Sequence, residues 1–567
     1  MTTASKSENR PVPSTLHLTR SKSRLDLWTL LVGAIALLIA MPLLAVAASL
    51  VSPAWDVWQH LAATVLGRYV TNSLALLLGV GAGVVLLGTG TAWLVTMTQF
   101  PGRGVLSWAL LLPLAFPAYI LAYTYTELLE YYGPVQTGLR SLFGFQSAQD
   151  YWFPPIRSLG GAIALLVLVL YPYVYLLARV AFGEQSVCTL EASRSLGCNP
   201  WQSFWRVALP LARPAIAAGT ALALMETLGD FGTVQYFSVD TFTTGIYRTW
   251  FGMGERAAAS QLAALLMLFV LALILLEQWF RRQGRYDQKR GKSQSQSRFR
   301  LTGWRSGLAI AACTLPLLLG FLIPAGLLLH MTLRNLNQLT DPRLWGFAKN
   351  SFLAAALTAG LAGAIALLLA YGVRLRPTRL MTLSLRTSAL GYAIPGSVIA
   401  VGVLVPLGLF DNSVDAWMQR TFGISTGLLL SGTIAALVFA YLVRFLAVAI
   451  NAVESGLGRI TPNLDNAARS LGENSLGVLR RVHAPLMGGS LLSAALLVFV
   501  DVMKELPATL IVRPFNFDTL AVRVYQLASD ERLAESSAAA LVIVAVGLIP
   551  VILLSQQIVG GDRSESQ

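Results

Sequence analysis

Charge is scarce in this chain. Only 12% of its 567 residues are Asp, Glu, Lys or Arg, about half the share found in soluble domains. That composition excludes a water-soluble globular protein. Cysteine is scarcer still, with Cys188, Cys198 and Cys313 alone. None forms a CxxC pair, so neither a disulfide framework nor a zinc site is suggested. The four His residues, His17, His60, His330 and His483, are scattered, which argues against a His-rich metal centre. Acidic residues are outnumbered 28 to 42, giving a net charge of +14. Basic residues of this kind are read here as marking one side of a membrane rather than a nucleic-acid surface.

What the chain has instead is apolar length: 55% hydrophobic residues and a mean hydropathy of +0.62. Residues 1–26 are polar, Ser-rich and basic, and read as a disordered tail. The apolar run that follows is too long for a signal-peptide core. Runs of about 20 residues, enough to cross a bilayer, occur near 27–51, 70–97, 104–126, 159–181, 213–234 and 258–280. After a basic connector, 281–305, six more follow near 306–331, 350–373, 384–410, 426–450, 488–512 and 536–559. The expectation is an all-α integral membrane protein of about 12 transmembrane helices in two six-helix halves. The first transmembrane domain is 70–280, preceded by the helix 27–51. The second is 349–559, preceded by the helix 306–331. With the N-terminus inside, roughly 27 of the 42 Lys and Arg residues fall on cytoplasmic segments and about 12 outside, so both termini are expected in the cytoplasm.

The halves are copies. Glu191-Ala192-Ser193-Arg194-Ser195-Leu196-Gly197 leads, nine residues on, into Val207-Ala208-Leu209-Pro210. Asn466-Ala467-Ala468-Arg469-Ser470-Leu471-Gly472 leads, across the same spacer, into Val482-His483-Ala484-Pro485, 275 residues later. Each copy is a polar island between the fourth and fifth apolar run of its half. Each reads as a helix ending at Gly197 or Gly472, where a left-handed cap costs least. A second helix then starts, capped by Asn199 or Asn474. Further echoes lie 278 residues apart: Asn72-Ser73 with Asn350-Ser351, and Leu114-Ala115-Phe116-Pro117 with Tyr392-Ala393-Ile394-Pro395. Parallel repeats about an axis along the membrane normal would leave a pathway between them.

The twin islands resemble the EAA loop of ABC-importer permeases, Glu-Ala-Ala-x3-Gly-x9-(Ile/Val)-x-Leu-Pro. The first copy departs at Ser193. The second has Asn466 for Glu, after Asp465, and Ala484 for Leu. In that family the loop is the cytoplasmic coupling helix that docks on the ATPase. The resemblance narrows at Met225-Glu226-Thr227-Leu228-Gly229-Asp230-Phe231-Gly232-Thr233-Val234, at Asp501-Val502-Met503-Lys504-Glu505-Leu506-Pro507-Ala508-Thr509-Leu510 and at Leu112-Pro113-Leu114-Ala115-Phe116-Pro117-Ala118-Tyr119. These look like fused permeases of ferric-iron importers. The resemblance implies a type I ABC importer permease in a bacterial inner membrane, among lipid. It also implies a homodimeric ATPase on the cytoplasmic face and a periplasmic iron-binding protein. It implies ATP with Mg on the ATPase and no cofactor or catalytic residue on this chain. Fused relatives also carry thiamine or phosphonates. The residues themselves supply no nucleotide site. Gly291-Lys292-Ser293 lacks the Gly its phosphate loop needs at Tyr286, and no buried strand precedes it. Asp230-Phe231-Gly232 is similar to a kinase triplet without the catalytic loop.

Two carboxylate pairs carry the candidate chemistry: Glu226 with Asp230, and Asp501 with Glu505. Their i, i+4 spacing puts each pair on one helix face. Intramembrane charge is costly and usually faces a bundle interior or a water-filled path. The four acids either line a cation route or pair with Arg179, Arg444 and Lys504 to hold the bundle. Tyr119, Tyr123, Tyr125, Glu127, Glu130, Tyr131 and Tyr132 form a candidate outer loop whose oxygens suit a hard cation. An interfacial aromatic belt is the alternative. Four acids favour a cation over a phosphonate. A twelve-helix, gradient-driven secondary transporter shares the span count but does not predict the twin loops. A channel or scaffold is the third possibility.

Overall fold

The computed structural model describes residues 27–51, 55–185, 197, 199–283 and 298–564. The tail 1–26, most of the connector and Glu191 and Ala192 of the first island lie outside these. Ten helices among the described residues are long and apolar enough to cross a membrane, and two bent helix pairs make twelve spans if each pair is one. In chain order the first six are α1 (Trp28–Val51), α2 (Leu66–Met97), the bent pair α3 (Arg103–Ala115 with Ala118–Phe143), α4 (Leu159–Gly183), α5 (Phe204–Gly229) and α6 (Arg256–Phe280). The second six are α7 (Trp304–Arg334), α8 (Pro342–Leu375), α9 (Gly396–Phe422), α10 (Ile434–Gly458), the bent pair α11 (Ser475–Leu486 with Gly488–Met503) and α12 (Leu533–Leu553).

α4 and α10 are central: 61% and 67% of their apolar windows are buried, against 28% for α1. α2 lies on α4 through small residues. A Cβ on Gly83 would sit 2.4 Å from Val167 Cγ2, and one on Gly88 would sit 2.9 Å from the Tyr171 carbonyl oxygen. Close backbone approach of this kind replaces the hydrophobic drive that lipid cannot supply. α8 packs against α10, and α11 packs against both. The halves interlock. α1 packs on α9, α6 packs on α9, and α12 packs on the turn Leu112–Ala115 of α3. The repeat is visible in single bonds: the Asn72 side chain donates to the Asp240 carbonyl at 2.9 Å and the Asn350 side chain to the Asp518 carbonyl at 3.0 Å.

Several runs that read as single spans are broken. The third breaks at Phe116, where ψ is 124°, before helix Ala118–Leu129. The ninth breaks at Ile394, where ψ is 130°, before α9. The following residues, Pro117 and Pro395, push their predecessors out of the helical region. The run 213–234 stops at Gly229, and 488–512 stops at Met503 before a short helix Pro507–Val512. The tenth span runs Ile434–Gly458 rather than 426–450.

The islands fold as the spacing predicts wherever they are described. Gly197 and Gly472 have φ of 82° and 87°. Asn199 Oδ1 accepts from Gln202 N at 2.8 Å, and Asn474 Oδ1 accepts from Gly477 N at 2.7 Å. Helix Pro462–Ser470 precedes Gly472. Each island then enters its membrane helix through a widened π turn, Phe204–Ala208 or Leu479–His483. Pro210 and Pro485 follow directly, and their rings would clash with the carbonyl four residues back in a regular helix. The helix therefore runs on past each proline. It continues, and the second copy bends by 77° before Gly488. Near the connector's end, β1 (Thr98–Gln99) pairs in parallel with β2 (Phe299–Arg300).

Candidate functional site: a charged cavity between the halves

The ends of α5 and α11 face one cavity of about 120 Å³ that opens to solvent. All four predicted carboxylates line it, together with Arg444, Lys504, Tyr119, Tyr173 and Tyr392. They come from both halves, so the cavity lies between the halves.

The helical i, i+4 pairing of the acids does not hold. Glu226 is in the last turn of α5, but the helix ends at Gly229 and Asp230 is extended, with ψ of 131°. The Asp230 carboxylate caps the next helix, Gly232–Tyr236. It accepts from Val234 N at 3.1 Å and from Thr233 Oγ1 at 2.9 Å. Glu505 does the same for helix Pro507–Val512, accepting from Ala508 N and Thr509 N at 2.9 Å each and from Thr509 Oγ1 at 2.6 Å. A carboxylate at a helix start meets unsatisfied N–H groups and the positive end of the helix dipole. Each capped helix thus begins where a span has just ended. A sequence signal existed: Pro507 marks a first helical turn, and Thr233 and Thr509 lie three and four residues beyond the capping acids.

Arg444 on α10 joins the halves. Its Nη1 donates to Glu505 Oε1 at 2.8 Å, and its Nη2 lies 4.0 Å from Glu226 Oε2. Glu505 has a side chain only 1% exposed, whereas that of Glu226 is 32% exposed. Gly396 makes room for this pair, since a Cβ there would lie 2.4 Å from Arg444 Nη1 and 2.7 Å from Glu505 Oε1. Lys504 Nζ pairs with Asp501 Oδ1 at 2.9 Å. Both predicted partners Arg444 and Lys504 are therefore engaged. Arg179 is not part of the cluster: it donates to the Ser107 carbonyl at 2.8 Å and does not line the cavity. Four carboxylates against two cations leave two formal negative charges in excess.

The Tyr- and acid-rich segment after Pro117 is not one outer loop. Tyr119, Tyr123 and Tyr125 are buried on helix Ala118–Leu129, because the bend at Pro117 turns that helix into the bundle. Tyr119 reaches the cavity, and Tyr125 donates to the Leu319 carbonyl at 2.6 Å. Tyr132 is 90% exposed. On that side Arg157 contacts Glu130 of its own half at 2.5 Å and Glu531 of the other at 3.2 Å. Among the described residues, no three His, Cys, Asp or Glu side chains converge as a metal site.

Of the second island, Asn466, Ala467, Gly472 and Pro485 are exposed, as is Leu471 at 86%. Gly197 is exposed and Pro210 half-buried. The described part of the islands is thus an uncovered surface, while the cavity is lined from the far ends of α5 and α11.

Residues 84–283 match the family described as binding-protein-dependent transport system inner membrane component. An Fe(3+)-transport system permease protein of Haemophilus influenzae is 26% identical over 501 residues, covering 87% of this chain and 90% of the relative. A ferric transport system permease protein of Actinobacillus pleuropneumoniae is 27% identical over 527 residues, covering 88% and 72%. A sulfate transport system permease protein of Escherichia coli is 30% identical over 213 residues, 36% of this chain and 71% of the relative. With two interlocked helical halves around one cavity, the chain belongs to the family of binding-protein-dependent transport system inner membrane components.

Proposed function

We propose that this protein is the permease of an ATP-driven importer that carries ferric iron from a periplasmic binding protein into the cytoplasm by alternating access. The observation that carries this reading is the inter-half cavity with an excess of carboxylate, set at the ends of the same two helices that begin at the coupling islands. Both termini and both islands face the cytoplasm in this reading. A homodimeric ATPase docks on the islands, and ATP with Mg binds there. ATPase closure moves the islands, the islands move α5 and α11, and the halves rock about the cavity. A hard trivalent cation is met by carboxylate and phenol oxygens. Of the acids, Glu226 is the one positioned to meet cargo, since it is the most exposed and its contact with Arg444 is 4.0 Å, whereas Asp230 and Glu505 cap helices and Asp501 is paired with Lys504.

The full-length ferric relatives support the substrate. An oxyanion cargo, as the sulfate relative's name implies for that protein, would need free cations in the cavity. Arg444 and Lys504 are already held by Glu505 and Asp501. Thiamine or phosphonate remains the alternative within the class, and a gradient-driven transporter the alternative outside it. The test is ATPase activity of the permease purified with its ATPase in nanodiscs. Stimulation by ferric-loaded binding protein alone is expected. Stimulation by a thiamine- or phosphonate-loaded protein instead overturns the substrate, and failure to associate with any ATPase overturns the class.

A further inference from the structure

The second island is fastened to the membrane helices by one buried carboxylate. Helix Pro462–Ser470 buries Asp465 and Ala468, three residues apart and so on one face. Its other face, with Leu464, Asn466, Ala467 and Arg469, is exposed. Asp465 points inward to Arg374 in the last turn of α8, whose Nε donates to Asp465 Oδ2 at 2.9 Å. The same guanidinium donates from Nη1 to the Leu457 carbonyl at 2.7 Å and from Nη2 to the Ile460 carbonyl at 2.8 Å. Those carbonyls belong to the end of α10, where helical partners run out. On the other side His483, fully buried just before the bend of α11, brings Nε2 to 2.7 Å from Asp465 Oδ1. Tyr371 packs beside the His483 ring at 5.2 Å and donates to the Ser475 carbonyl at 2.7 Å. The ends of α8 and α10 and the bend of α11 thus meet at one side chain of the island.

The sequence of the first half does not repeat these three residues. At the repeat offsets of 278 and 275 residues, Arg374, Asp465 and His483 correspond to Thr96, Leu190 and Ala208. None of these carries a charge. The second island also lacks the Glu of its pattern, having Asn466 there with Asp465 one place earlier. One step along a helix is enough to move an acid from the exposed face to the buried one.

We propose that Arg374, Asp465 and His483 are positioning residues that transmit movement of the second coupling helix to α8, α10 and α11, through a charged joint whose residues the first half does not repeat in sequence. The inference rests on the ATP-driven importer reading. A guanidinium fork with all three nitrogens engaged is a rigid connection that a point-charge Lys cannot reproduce. Loss of the joint lets the docked helix move without carrying its spans. ATP hydrolysis then continues while cargo does not follow.

The test uses the full chain reconstituted with its ATPase and ferric-loaded binding protein in proteoliposomes, reading iron taken up per ATP hydrolysed. Asp465→Asn keeps the shape and removes the charge. Stimulated ATPase activity is expected to stay near wild type while iron per ATP falls by about two- to thirtyfold, the range seen for residues that carry coupling. Asp465→Glu restores the charge and is expected to recover part of the ratio. Thr96→Ala, at the matching place in the first half, is expected to leave it unchanged. Should Asp465→Asn fail to accumulate, His483→Gln gives the same readout from the other side of the joint. A parallel fall of ATPase and uptake, or an unchanged ratio in these variants, overturns the proposal. Wild-type protein that shows no ATP-dependent uptake overturns the importer reading itself and takes this proposal with it.

Discussion

Removing Arg444 is the most demanding perturbation of the cavity. Glu505 is almost wholly buried, and Arg444 Nη1 at 2.8 Å is its ionic partner. In Arg444→Leu, Glu505 keeps Ala508 N, Thr509 N and Thr509 Oγ1 as donors but loses its countercharge. Breaking a buried pair by removing one partner costs about 3–5 kcal/mol, a large part of the roughly 5–15 kcal/mol that holds a typical domain together. The loss extends across the halves, since Arg444 also faces Glu226. Replacing both partners, as in Arg444→Leu with Glu505→Leu, removes the uncompensated charge and should restore part of the stability despite the lost caps. Denaturant or thermal unfolding of the purified single and double variants supplies the cycle. A coupling energy of at least about 1 kcal/mol is expected, within the range for residues in contact. Single variants each costing under about 1 kcal/mol, or strictly additive losses, would refute the claim that this buried pair holds the cavity together, because contacting charges in one network couple by more.

Three further outcomes follow from the same geometry. Glu226→Gln should leave the amount of folded protein unchanged, because its contact with Arg444 is long, while lowering iron uptake by about tenfold or more, a difference of about 1.4 kcal/mol; uptake in proteoliposomes checks this. Gly396→Ala forces a Cβ against the Arg444–Glu505 pair and should destabilise by about 1–3 kcal/mol, as overpacking does, read as a lowered unfolding midpoint. Gly472→Asp with Gly197→Asp places side chains at left-handed positions with open space around them, so the membrane domain should persist while co-purification of the ATPase drops; full retention with full transport would argue against docking at these islands.

Much of the architecture was legible because its signals are local. Polar islands between apolar runs, a glycine that ends a helix, and an Asn that begins one are all decided within a few residues, and Gly197, Gly472, Asn199 and Asn474 behave as their neighbours in sequence dictate. The breaks at Phe116 and Ile394 were hidden because apolar composition does not reveal where a hydrophobic run stops being helical. Pro117 and Pro395 were the available clue. The spacing of Glu226 with Asp230 and of Asp501 with Glu505 misled for a similar reason. An i, i+4 interval implies a shared face only while the helix continues, and here the second acid of each pair ends it by capping the next helix. Arg444 was legible as a partner but Arg179 was not distinguishable from it, since partner choice depends on which helices meet. Asp465 shows the same limit, because its burial is set by α8 and α10, which lie far away in sequence.

The central claim is that ATP on a partner drives ferric iron through this chain. The most direct measurement is uptake of radiolabelled ferric iron from its binding protein into sealed proteoliposomes holding the permease and its ATPase, with ATP present at the ATPase face and ionophores collapsing every gradient. Uptake that needs ATP, survives the ionophores and falls in Glu226→Gln is the predicted result. Uptake that persists without ATP and vanishes with the ionophores would contradict the account.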